Sequence, residues 1–331
     1  VYVDIGGVAA YATWLETLSF INVSSSALDS TSYESAELQY LKGDNANAYS
    51  NFLSYLQNYP EGAFLLPAHY YLAKSATEID SLDQAIASYE YINSANSNKF
   101  SQSSIKESAL LYMSLQQYSS ALIKFEKLDL IAETVEEQLY AKQGLMDCYY
   151  ELGAFDKAIE QAEIVLNSGR VDESLILELN TFIARSAFLN LDLNLAREKY
   201  TIIELKSQGD LKAEAMYHLA YAAFYSGDYE ASKKIIFEQS RLLPRYKNWL
   251  GKSFVILARN YVVEEDVFQA IHTLDQLLLN LEDQSILKSA KSLKAEIMAN
   301  ENSVAELSLD LDLTTPSDDT IQIDSLKLIE K

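Results

Sequence analysis

The stretch Ala36-Glu37-Leu38-Gln39-Tyr40-Leu41-Lys42-Gly43-Asp44-Asn45-Ala46-Asn47-Ala48-Tyr49-Ser50-Asn51-Phe52 decides the fold. Two alanines stand twelve residues apart, with Gly-Asp between them and a large apolar residue four places after the second. The same spacing recurs down the chain. One series runs Ala48, Ala85, Ala121, Ala158, Ala196, Ser232 and Ala270, in steps of 36 to 38 residues. Twelve residues before each member lies the other: Ala36, Ala73, Ala109, Met146, Ala184, Ala220 and Ala258. Phe52, Tyr89, Phe125, Ala162, Tyr200, Ile236 and Leu274 follow the first series one helical turn later, on the same helix face. Two helices approach closely only where their side chains are small, so each alanine pair predicts the crossing point of a helical hairpin. Gly43, Gly153 and Gly227 fall between the paired positions, where a glycine can end a helix in the left-handed conformation.

Composition agrees. The 331 residues include only ten Gly and four Pro, too few turn formers for a chain of many strands. Half the residues are apolar (49%), which excludes wholesale disorder, yet no apolar run approaches the ~18 residues a membrane span needs. A single cysteine excludes an internal disulfide framework and a multi-cysteine zinc site. The net charge of −22 argues against nucleic acid and anionic lipid, both of which are bound through Lys and Arg.

With the first series numbered as motif position 20, the sequence resembles the tetratricopeptide repeat family, a helix–turn–helix repeated about every 34 residues. Leu72, Leu145, Leu219 and Leu257 fall at position 7, Tyr112, Tyr149 and Tyr261 at position 11, and Tyr118, Phe155 and Tyr229 at position 17. Pro60 falls at position 32, where the family closes its second helix. Position 4, usually aromatic, departs from the pattern as Ser32, His69, Ile105, Lys142, Asn180 and Met216, with Phe254 the one exception. Each repeat is two to four residues longer than the family's, so longer loops between repeats are expected. The resemblance implies an all-α fold, an α-solenoid of about seven helix–turn–helix repeats with a C-terminal capping helix.

The expected organisation has three parts. Residues 1–31 hold a partial repeat helix (Val8 to Leu18, with Ala10 at position 20 and Trp14 at position 24) and an extended Ser-rich joint from Ser24 to Ser32. That start, at Val1 without Met or leader, reads as a chain beginning inside a repeat. Residues 32–300 form the solenoid, ending in a helix from about Ser285 to Asn300 with Ala295 in the small-residue register. Residues 301–331, with eight acids against two lysines and Pro316, read as an acidic flexible tail.

Chemistry is hard to find. His69, His218 and His272 fall at positions 4, 6 and 22 of different repeats and read as packing residues, as does Cys148 at position 10. No catalytic residue, no metal ligand and no cofactor site is expected, and the chain is read as a non-enzyme. The partner-binding candidates rest on the family's concave-face positions 5, 9 and 12: Tyr70, Lys74, Tyr150, Arg185, Phe188, Tyr217, Tyr221, Phe224 and Arg259, with Tyr33 and Tyr40 earlier in the row. Tyr and Arg are the residue types that anchor protein interfaces. Position 9 reads Glu37, Lys74, Leu110, Asp147, Arg185, Tyr221 and Arg259; with no Asn there, the carboxylate clamp of the family's chaperone-binding members is not expected. A local charge reversal at Arg241, Arg245, Lys247 and Lys252, beside Trp249, suggests a basic docking loop.

Two stretches carry a narrower resemblance. Phe52 to Tyr59, Pro60 to Phe64 and Ala68 to Ala73 are similar to repeats of bacterial periplasmic and outer-membrane-associated tetratricopeptide proteins. Tyr246 to Leu250, Phe254 to Ala258 and Asp266 to Ala270 are similar to the C-terminal part of large multi-repeat proteins of Bacteroidetes. That resemblance implies a cell-envelope location, periplasmic or outer-membrane-associated, with a cytoplasmic one as the alternative. The expected function is a protein–protein interaction scaffold that holds a protein or peptide segment, without nucleic acid or membrane insertion. A structural spacer with no groove ligand is the alternative, and an enzyme the second.

Overall fold

The computed structural model describes residues 25–299. Among them are fifteen helices and no strand. They run α1 (Ser25–Leu41), α2 (Asn45–Asn58), α3 (Leu65–Glu78), α4 (Leu82–Ser94), α5 (Ser101–Ser114), α6 (Tyr118–Ile131), α7 (Val135–Glu151) and α8 (Phe155–Leu166). They continue as α9 (Glu173–Leu189), α10 (Leu193–Lys206), α11 (Gly209–Tyr225), α12 (Tyr229–Leu242), α13 (Lys247–Val263), α14 (Val267–Asn280) and α15 (Gln284–Ala299). None of these helices is long and apolar enough to cross a membrane. The chain divides into two compact units within α7, one through Gln138 and the other from Leu139. The first holds three helical hairpins; the second holds four and then α15.

The alanine register is the packing register. All seven residues at position 20 and all seven at position 8 are buried, as are all seven at position 24. One turn further, at position 27, Tyr55, Ile92, Leu128, Val165, Ile203 and Leu277 are buried too. In the second unit, Met146, Ala158, Ala162, Ala184, Ala196 and Tyr200 belong to one apolar cluster. Gln239 takes position 27 in the sixth hairpin, where Ser232 replaces alanine, and the next helix supplies matching polar groups. Ser253 Oγ donates to Gln239 Oε1 (2.6 Å), Gln239 Nε2 donates to the Ala213 carbonyl (2.9 Å), and Asn260 Nδ2 donates to Ser232 Oγ (3.0 Å).

Each hairpin turns in three residues, and all seven turns share one geometry. Position 15 has positive φ throughout: Gly43 (77°), Asp80 (60°), Gln116 (57°), Gly153 (72°), Leu191 (62°), Gly227 (81°) and Glu265 (61°). The following N–H reaches back five residues to a carbonyl, as from Ala154 to Tyr149 (2.8 Å) and from Asp192 to Ala187 (2.9 Å). Position 16 then caps the second helix. Asp44, Asp192, Asp228 and Asp266 each accept from a backbone N–H three residues on.

Two expectations change. The Ser-rich joint is helical from Ser25, not extended, because α1 is anchored from within. Buried Asp29 accepts from Tyr55 Oη (2.5 Å) and from the Ala63 N–H (2.8 Å), and these contacts override the weak helix propensity of the serines. The extra length of the repeats does not lie in loops alone. Connections between hairpins range from two residues (207–208) to six (59–64, 95–100, 167–172), and five of the first helices reach 17 residues. The partial helix from Val8, the acidic tail and Asn300 lie outside the described residues.

Candidate interaction surface

The concave-face candidates lie on the first helices of the hairpins; Arg241 lies on α12 and Arg245 in the connection that follows it. In the first unit Tyr70 stacks on Phe100 at 4.8 Å and shares a hydrogen bond with Ser103 Oγ (2.8 Å). Lys74, half-buried, donates to Glu107 Oε1 (3.1 Å) and lies over the Tyr70 ring. Tyr33 is buried, stacked on Phe64 at 4.6 Å. Tyr40 packs on Tyr71.

In the second unit the row becomes a ladder of rings. Phe188 meets Tyr221 edge-on at 5.0 Å, Tyr217 lies 6.3 Å from Tyr221, and Tyr221 lies 4.3 Å from Tyr225. Tyr217 also packs on Trp249 at 5.7 Å, so that tryptophan joins the ladder; the stretch expected as a basic loop is largely helical, with Arg241 in α12, Lys247 and Trp249 in the first turn of α13, and only residues 243–246 between them. Phe188, Tyr217, Tyr225 and Trp249 are partly accessible, whereas Tyr221 and Phe224 are buried beneath their neighbours. Tyr150 rests on Phe155 and Phe182, and burial pushes its hydroxyl up to about 12.

The cations of the row differ. Arg185 is held in a two-pronged pair, Nε to Glu214 Oε1 (2.7 Å) and a terminal nitrogen to Glu214 Oε2 (2.6 Å). Tyr200 Oη adds a 3.3 Å bond to the same carboxylate, and Glu214 is buried. This guanidinium is committed inside the protein, by a partner on the next hairpin that sequence spacing did not single out. Arg259, one hairpin further, is exposed, and its charge acts on the Tyr221 hydroxyl. Arg241, Arg245 and Lys247 are exposed as well, and Arg241 makes a loose 3.9 Å pair with Glu238.

The histidines do not converge. His69 stacks on Tyr91 at 3.8 Å, and burial lowers it to about 4. His218 is sealed between Tyr200, stacked at 4.4 Å, and the rings of Phe188, Tyr217 and Trp249. Burial, with Lys252 and Arg185 adding repulsion, holds it well below its ordinary value. His272 lies exposed against Phe268. Cys148 is buried and in no disulfide. Among the described residues no group of three or more His, Cys, Asp or Glu side chains could hold a metal ion.

No protein-family model matches the chain, and no curated protein matches it either. Solved structures do. The C-terminal part of a TPR repeat-containing protein from Cytophaga hutchinsonii is similar over 78% of this chain and 98% of its own, with 15% identity and a TM-score of 0.54. The structure of Naa15/Naa10 bound to HypK-THB has a chain similar over 83% of this one and 43% of its own, with 12% identity and a TM-score of 0.50. A tetratricopeptide repeat protein from Parabacteroides merdae covers 81% of this chain with 99% of its own, at 14% identity and a TM-score of 0.42.

Proposed function

On the premise that this chain has the tetratricopeptide repeat fold, we propose that it is a protein-interaction scaffold that holds a segment of a partner along the first helices of its second unit. The observation that carries this reading is the ring ladder from Phe188 through Tyr217 and Tyr225 to Trp249, with the exposed Arg259 guanidinium beside it. Partly accessible aromatic rings already held against one another lose little freedom on binding, and an exposed guanidinium adds direction. Exposed Arg241, Arg245 and Lys247 extend the surface toward acidic partners, against a chain whose net charge is −22. The reading is non-catalytic and needs no cofactor. The cell-envelope location belongs to the same proposal and is supported by the likeness of its repeats to exported ones.

A second reading, the structural spacer, draws on the commitment of Lys74 and Arg185 to internal carboxylates and on the burial of Tyr33, Tyr221 and Phe224. Peptide arrays probed with the full chain separate the two. A scaffold retains short segments and loses them in Tyr217→Ala and in Arg259→Glu, with the helical circular dichroism unchanged. If the array stays blank, or if both variants bind as the parent does, the spacer reading stands.

A further inference from the structure

An open groove lies in the first unit, where the second hairpin joins its neighbours. It holds about 540 Å³ beside the connections 59–64 and 95–100. Leu65, Leu66 and Pro67, the first residues of α3, line it together with Tyr91 from the last turn of α4 and Phe100 just before α5. None of these residues belongs to the ring ladder of the second unit, so the groove is a separate feature. Its size lies within the ~300–1,000 Å³ range of sites that take small ligands and side chains.

The groove is held in shape from both connections. In the later one the Asn98 N–H donates to Ser101 Oγ (3.0 Å), the Phe100 N–H to Asn98 Oδ1 (2.9 Å) and the Ser101 N–H to the Asn98 carbonyl (3.0 Å). In the earlier one the Ala63 N–H donates to buried Asp29 (2.8 Å) and the Phe64 N–H to Tyr55 Oη (3.1 Å). Gly62 comes so near that a methyl added there would stand 2.5 Å from Tyr55 Oη, so no larger residue fits. Phe100 is stacked by Tyr70, and Tyr91 is stacked by His69 at 3.8 Å. Tyr91 nevertheless remains 40% exposed, a fixed aromatic surface without a cover. An occupant of such a groove meets walls that are already ordered, which keeps the entropy cost of binding low.

Charge assigns the occupant. Lys99 is the one charged residue lining the groove, and no acid lines it. Lys99 is exposed, lies over the Phe100 ring at 4.8 Å and makes no ion pair among the described residues. In a chain with 48 acids against 26 lysines and arginines, an unpaired lysine beside an apolar groove points to an anionic group on the incoming molecule. We propose that this groove docks a segment of a partner protein that carries a large apolar side chain near a carboxylate. The apolar side chain packs on Pro67 and Tyr91, and the carboxylate pairs with Lys99. Burial of the apolar side chain supplies most of the affinity, and the lysine pair sets its direction and weakens as salt screens it.

Capped peptides in which Asp or Glu stands one to three places from Phe, Leu or Trp, titrated with the full chain and followed by proton NMR of the peptide, test the proposal. Acid–apolar peptides should bind more tightly than counterparts with Lys for the acid or Ala for the apolar residue. Pro67→Glu should weaken binding by about tenfold or more. Glutamate suits the first turn of a helix, so the circular dichroism should not change. Changing the peptide acid to its amide should cost about threefold with the parent chain and nothing measurable with Lys99→Gln. No preference for acid–apolar peptides, or equal acid-to-amide losses with parent and Lys99→Gln, would overturn the proposal. Binding that Tyr217→Ala abolishes and Pro67→Glu leaves untouched would belong to the ring ladder and would overturn it as well. So would self-association that Pro67→Glu abolishes while no peptide binds, because a second copy would then fill the groove.

Discussion

Gln116 and Glu265 sit in a backbone conformation that suits glycine, and replacing both with glycine should stabilise the protein. Their φ angles are +57° and +61°, at the position filled by Gly43, Gly153 and Gly227 in sister turns. A side chain in this region costs about 1–2 kcal/mol. Glycine relieves that cost but adds about 0.5–1 kcal/mol of backbone entropy to the unfolded chain. Both side chains are exposed, so little packing is lost. The net gain is about 0.5–1 kcal/mol per site, and the two sites lie in different units, so the double variant should gain about 1–2 kcal/mol. Leu191 is the poorer choice because its side chain is only 54% exposed. Gly153→Ala is the converse: no atom lies within 4 Å of the added methyl, so a loss of about 0.5–1 kcal/mol would come from conformation alone. Urea unfolding followed by circular dichroism reads both signs. If Gln116→Gly lowers the midpoint and Gly153→Ala leaves it unmoved, position 15 is not held left-handed and the reasoning fails.

Three further outcomes are expected. Glu214→Ala should cost about 3–5 kcal/mol in denaturant unfolding, because it strands the partly buried Arg185 guanidinium; a cost under about 1 kcal/mol would mean that water reaches the pair. Ser253→Ala should cost about 1–3 kcal/mol by leaving Gln239 Oε1 without its donor, whereas Gln239→Leu combined with Ser253→Ala should recover most of it, and a double-mutant cycle with zero coupling contradicts this. Asp147 is buried with neither carboxylate oxygen hydrogen-bonded among the described residues, and burial, aided by Glu151, raises its carboxyl well above the ordinary range. The folded state therefore holds a proton that the unfolded chain releases near pH ~4. Stability from this site is full below that pH and falls as pH rises through the folded-state value. Asp147→Asn should flatten the fall and be the more stable protein at neutral pH; identical pH profiles for parent and variant would count against it.

Much of the fold was legible in the sequence because close helix crossing leaves a mark in residue size. Alanine at positions 8 and 20 identified every hairpin, even where Met146 or Ser232 broke the series. Turn geometry was legible at Gly43, Gly153 and Gly227 only. Asp80, Gln116, Leu191 and Glu265 hide the same conformation, and the signal that could have found them was their constant place, five residues before the next small residue. The helicity of Ser25 to Thr31 was not legible, since it depends on Asp29 reaching Tyr55 and Ala63, 26 and 34 residues away. The candidate surface was half legible. Motif position told which helix face a side chain occupies but not whether the next hairpin carries an answering charge, so Arg185 and Arg259 looked alike until Glu214 was seen against the first and not the second.

The hairpin turns are uniform, while the connections between hairpins run from two residues to six. Length has therefore varied at only one of the two kinds of joint. A turn bound by a fixed backbone geometry has no room for an extra residue, whereas the connections between hairpins already differ in length, with six residues at 167–172 against two at 207–208. A fluorescent tag or affinity epitope grafted into the connection at 167–172 should leave the alanine contacts in step, and the same graft into a hairpin turn should pull them out of phase.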